Sequence, residues 1–155
     1  ASVSPFNDYA KAGLNRWQTY AGPKKGFDEM VFNITPLADK ERQTLAAGVN
    51  KAGDKGASMQ FDTRQLPVLT LWKNTDPLKQ GYVTGIEPGT SYAYPVTIER
   101  EQKRVKQLEP GASTQFDLTY TLLHNQDQVK EVENRIAAIQ GETKPDLVAT
   151  PIAKE

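Results

Sequence analysis

The chain of 155 residues contains no cysteine and a single histidine, His124. Without cysteine there is no disulfide, no thiol nucleophile and no thiolate-held zinc, and the redox compartment stays open. One histidine excludes a multi-histidine metal site within one chain, and any intrachain Ser-His-Asp triad would have to use His124. Neither sign of charge is in excess, since 19 Lys and Arg offset 19 Asp and Glu. No nucleic acid or membrane surface is therefore expected as a partner held by bulk electrostatics. No apolar run approaches the roughly 18 residues of a spanning helix. The opening "ASVSPFNDYA" has neither the basic nor the apolar region of a signal peptide, and without an initiator Met it reads as a cut or processed end. The acids are too dispersed to argue for a metal. The stretch "AAGVNKAGDKGAS" (46–58) fits no phosphate-binding loop and reads as a hairpin connection.

What the chain does have is punctuation. Ten prolines and eleven glycines separate short segments, the pattern of a β-rich domain. The length suits one domain with a sizeable core. Strands are expected over 28–37, 57–63, 66–72 and 81–87, with a hairpin formed by 95–101 and 103–109. The segment "STQFDLTYTLL" (113–123) alternates most clearly. Phe116, Leu118, Tyr120 and Leu122 interleave with Gln115, Asp117, Thr119 and Thr121, which predicts one buried face and one wet face. The period then becomes helical over 125–141, with Val129, Val132, Ile136 and Ile139 on one stripe. Asn125 or Asp127 can cap its start and Gly141 its end. Residues 142–155, with two prolines, read as an extended tail.

Candidate chemistry gathers in "YVTGIEPGTSYAYP" (82–95). Glu87 closes a strand-like run, on the face opposite Tyr82, Thr84 and Ile86, and Pro88 fixes the backbone after it. A carboxylate held on a rigid element is what a general base requires. Tyr92 and Tyr94, together with Trp72, offer aromatic planes to a sugar ring. The competing reading is a strand-end salt bridge between Glu87 and Lys73 or Arg100.

The succession "LPVLTLWKN…GYVTGIEPGTSYAYP…LEPGASTQFDLTYTLL" resembles the C-terminal half of the galactose mutarotase-like, or aldose 1-epimerase, superfamily, and is most similar to its DUF4432 branch. The resemblance rests on Gly85, Glu87, Pro88, Gly89 and Thr90, then Pro95, then the turn at Leu108, Pro110 and Gly111 before the closing strand. It implies an all-β fold: an antiparallel β-sandwich over 1–124, part of a mutarotase-like supersandwich. One C-terminal amphipathic helix (125–141) then packs on it, followed by the tail. It also implies a monosaccharide partner and no cofactor. Glu87 is matched to the base that takes the proton from the C1 hydroxyl, while a histidine protonates the ring oxygen. "GFDEMVF" (26–32) resembles a strand start whose acid contacts sugar hydroxyls. Asp28 fits by position and Glu29 by its place before the apolar pair, so both stand. Trp72, Lys73 and Tyr92 complete the expected sugar contacts. His124 follows the closing strand and does not match the acid, so the resemblance implies a further partner, the N-terminal half of the same protein. Read this way, the chain is the carbohydrate-binding, base-carrying portion of an enzyme; the alternative is a non-catalytic carbohydrate-binding domain.

Overall fold

The computed structural model describes residues 1–150. In chain order its elements are β1 (Ser2–Pro5), α1 (Asp8–Lys11), a 3-10 turn (Leu14–Arg16), β2 (Met30–Thr35), β3 (Gln43–Val49), β4 (Gly56–Asp62) and β5 (Val68–Asn74). A second 3-10 turn (Leu78–Gln80), β6 (Val83–Gly89), α2 (Val96–Glu101), β7 (Leu118–Leu123), α3 (Gln126–Gln140) and β8 (Asp146–Leu147) follow. Strands dominate, with α3 the one main helix. No helix among the described residues is long and apolar enough to cross a membrane. The chain forms two compact units. One holds Ala1–Thr35, Val68–Lys106 and the segment from Pro145; the other holds Pro36–Pro67 and Gln107–Lys144.

The first unit is a five-stranded sheet in the order β6-β5-β2-β1-β8. Its pairs are antiparallel except β1 with β8, where Ser2 faces Asp146 and Val3 faces Leu147. Part of the segment 142–155 thus joins this sheet; residues 151–155 lie outside the described residues. Strand register assigns every side chain to one of two faces. Val3, Phe32, Ile34, Leu69 and Leu71 share one face and are buried. The N-terminal segment covers it: Ala10 and Leu14 are buried, and a side chain on Gly13 would collide with Met30 and Phe32. The other face carries Ser4, Asn33, Thr70 and Glu87 together with Val31, Trp72 and Val83. Pro88 falls within β6, which an edge strand tolerates because its outward N–H groups need no partner.

The second unit is the antiparallel sheet β3-β4-β7 with α3 against it. A loop turned by Asn50 joins β3 to β4, its Oδ1 accepting the N–H groups of Asp54 and Lys55. Leu45, Leu123, Val129 and Val132 form a core that Ala47, Ile136 and Ile139 extend. The helix starts with reciprocal caps: Asn125 Oδ1 accepts the Gln128 N–H at 2.9 Å and Gln128 Oε1 accepts the His124 N–H at 2.8 Å.

Two expectations are corrected. The hairpin predicted over 95–109 is absent: Pro95 precedes α2, and 103–109 forms no regular element. Pro95 is the N-cap of α2, its carbonyl accepting the Ile98 and Glu99 N–H groups, and the helix forms through the β-favouring Val96, Thr97 and Ile98. In β7 the expected buried face is not covered, and Thr119 and Thr121 on the other face are exposed as well. Phe116, Leu118, Tyr120 and Leu122 are exposed, and α3 instead buries Leu123. Leu122 is 71% exposed and Leu123 4%, so adjacent leucines should respond oppositely to truncation. In this chain Leu123→Ala should lower the unfolding free energy by about 2–4 kcal/mol, and Leu122→Ala by less than about 0.5 kcal/mol. Urea unfolding of both variants checks this, and equal losses would contradict the assignment of faces.

Candidate functional site

The polar face of the five-stranded sheet brings together three of the residues expected to act on a sugar. Register pairs Thr70 with Glu87 and Trp72 with Gly85, so Trp72 and Glu87 share one face of neighbouring strands. A side chain at position 85 would overlap the Glu87 carboxylate, which therefore lies back over the glycine. The gap left by Gly85 is what lets this carboxylate lie flat on the sheet. Glu87 is exposed, and its carboxylate forms no ion pair or hydrogen bond with the other described residues, Lys73 and Arg100 included. It lies inside β6 and is not its last residue. Glu29, two residues before the Val31 that faces Trp72, accepts the indole Nε1–H at 2.7 Å. Asp28 is exposed, and its Oδ1 accepts the Glu29 N–H at 3.0 Å.

Tyr92 and Tyr94 close the other half of the same face. The Tyr92 hydroxyl shares a hydrogen bond with Thr35 Oγ1 at 2.8 Å, and the Tyr94 hydroxyl accepts from Asn33 Nδ2 at 3.1 Å. The Tyr94 ring stacks on Phe6, centroids 4.7 Å apart. Tyr92 is buried and lies under the Arg104 guanidinium, 5.2 Å from its centroid. The expected role of Tyr92 as a free stacking plane is therefore corrected: its ring is used to hold the loop down. That loop is fixed from below by Glu99, buried in α2, which accepts the Tyr92 N–H and two hydrogen bonds from Arg104. The Glu99 carboxylate holds the Arg104 proton above its ordinary range.

Residues 1–122 match a family described as "Domain of unknown function (DUF4432)". The chain belongs to the DUF4432 family. A crystal structure of "a putative aldose 1-epimerase" from Klebsiella pneumoniae is similar at 78% identity with a TM-score of 0.96. The similarity covers 99% of this chain and 40% of that one. This chain thus spans less than half the length of that solved relative. No curated protein matches it. The fold is aldose-epimerase-like.

Within this DUF4432 domain, Lys73 does not join the polar site. It alternates with Trp72 on β5 and so points to the buried face, where it is 4% exposed. Its Nζ donates to the carbonyls of Thr19 at 3.0 Å and Arg16 at 3.3 Å and sits over the Tyr20 and Phe32 rings. Tyr20, whose hydroxyl meets Thr84 Oγ1 at 2.6 Å, lies on that side too. The expected contacts of Lys73 with a sugar or with Glu87 are therefore corrected. Arg64 is bound by the Asp62 carboxylate. No group of three or more His, Asp or Glu among the described residues could hold a metal ion. Sequence reasoning missed Glu99, and it named Gly85 without the space that this residue leaves for the Glu87 carboxylate. The Gly-x-Glu spacing contained a signal for that space, since residues two apart share a strand face.

Burial, then the nearby Arg16 charge, lowers the Lys73 pKa from 10.5 to about 8. Between those two values the unfolded chain keeps a proton that the folded chain has released, so stability rises with pH there. Below about pH 8 both states are charged and the cost of burying the ammonium is felt in full. Unfolding midpoints measured from pH 7.5 to 10.5 should rise relative to those of Lys73→Met, which lacks this titration. Parallel profiles would contradict the burial of this amine.

Proposed function

We propose that this chain is the sugar-binding, base-carrying portion of an aldose 1-epimerase-like enzyme that interconverts the anomers of a monosaccharide. The observation supporting this most directly is Glu87, an accessible, unpaired carboxylate lying flat beside a tryptophan on the rigid polar face of a sheet. Its ionised form takes the proton from the C1 hydroxyl as an acid protonates the ring oxygen. The C1–O5 bond breaks, leaving an open-chain aldehyde. Rotation about C1–C2 and reclosure on the opposite carbonyl face give the other anomer, and both protons return. Trp72 supplies the plane against which the C–H surface of the ring lies. Fixed placement of base and ring provides much of the acceleration.

The acid comes from elsewhere in this reading. His124, the sole histidine, is exposed beside the α3 cap, and its backbone N–H serves that cap. We infer that the remainder of a longer polypeptide supplies the acid and covers the apolar side of β7. Supporting this are the exposed Leu118, Tyr120 and Leu122 on a strand at the sheet edge, and the 40% span of the solved relative. The second reading, sugar binding without turnover, is favoured by the lack of a histidine on the Glu87 face.

In the intact protein, Glu87→Gln should slow anomer exchange of D-galactose or D-glucose about 100-fold or more, followed by polarimetry or exchange NMR. Unchanged turnover ends the proposal; binding with no turnover in the unaltered protein selects the second reading. In the intact protein Leu122→Ala should also cost about 2 kcal/mol or more, as truncation of a covered leucine does. A neutral result there contradicts the covered β7 face.

A further inference from the structure

We propose that Glu29 is a positioning residue: its carboxylate fixes the indole of Trp72 as a stacking platform beside Glu87, and it does not itself bind the sugar. This rests on the sugar-binding reading of the face.

Trp72 stands out on its face. Val31 pairs with it on β2, its strand neighbour Thr70 and the cross-sheet Asn33 and Ser4 are polar, and its partner across β6 is Gly85, which has no side chain to cover the ring. A tryptophan left half-uncovered on that side would sample several orientations unless one is tied down, because χ2 of an aromatic side chain is a broad torsion. The bond to Glu29 ties it. At 2.7 Å it has the length of a charge-assisted hydrogen bond, the stronger class. The backbone carrying Glu29 is tied by two bonds: Asp28 Oδ1 accepts the Glu29 N–H, and the Asp28 N–H donates to the Tyr9 hydroxyl at 3.3 Å. Asp28 is therefore the outer brace of the same arrangement. With one carboxylate oxygen committed to the indole, Glu29 is engaged before any ligand arrives. Glu87, by contrast, has no partner among the described residues and stays free for the reacting hydroxyl. Two carboxylates on one face thus have separate tasks, set by which of them already has a donor.

The test uses the intact protein labelled with 15N-tryptophan, the Trp72 indole resonance being identified by its loss in Trp72→Phe. Binding of D-galactose and D-glucose is measured separately by saturation-transfer NMR. Glu29→Ala should speed exchange of the Trp72 indole proton with solvent and weaken sugar binding about tenfold or more. Glu29→Gln keeps an acceptor oxygen, and should restore both properties to within about threefold of the unaltered protein. If both variants weaken binding equally while indole exchange is unchanged, Glu29 touches the sugar directly and the positioning role is overturned. If sugar binds normally to Glu29→Ala, the inference fails while the sugar-binding reading survives. If the unaltered protein binds neither sugar, that reading fails and takes this inference with it.

Discussion

The pairing of β5 with β6 is the constraint on which the site depends. It puts Gly85 opposite Trp72 and Thr70 opposite Glu87, so an open space, an aromatic ring and a free carboxylate occur together on one face. A slip of one residue would send Glu87 to the side occupied by Lys73 and Thr84. Because β6 is an edge strand, only one neighbour holds it through its backbone. The remaining hold comes from the buried side. Ile86 faces Leu71 there, Thr84 bonds Tyr20, and the Tyr82 hydroxyl donates to the Ala21 carbonyl at 2.7 Å. The apolar face thereby fixes the register that the polar face uses.

Both faces also depend on charges that are placed out of the way. Lys73 is the cation nearest in sequence to Trp72, yet the strand alternation turns it inward, where two carbonyls and two rings accommodate it. An ammonium on the polar face would have been free to pair with Glu87. Arg104 is likewise committed to Glu99 under the loop that follows β6. That buried pair keeps Tyr92 and Tyr94 over Asn33 and Thr35 while leaving the Trp72 end open. Removing Arg104 would strand the buried Glu99 charge, which costs far more than the intact pair contributes.

Much of this was legible in the residues. The β-rich class and the helix stripe of Val129, Val132 and Ile136 followed from period and punctuation, and so did the face of Glu87 opposite Ile86. The strand around Glu87 was placed two residues early because Pro88 reads as a stop, although an edge strand accepts it. Strand β3, "QTLAAGV", escaped because Ala, Gly and Thr give little hydrophobic signal; its backbone is ordered by pairing with β4 across seven residue pairs. The alternation in β7 was real, but a pattern tells which residues share a face and not which face meets the helix. Lys73 was misplaced for a simpler reason: a lysine beside a tryptophan suggests a polar neighbourhood, whereas adjacent strand residues point opposite ways.

The most direct measurement is a crystal structure of the intact protein soaked with D-galactose. The account predicts a pyranose lying on the Trp72 ring with its anomeric oxygen within about 3.2 Å of the Glu87 carboxylate, the reach of a general base. A sugar seated away from this face, or a Glu87 side chain bonded to a cation brought by another part of the protein, would contradict it.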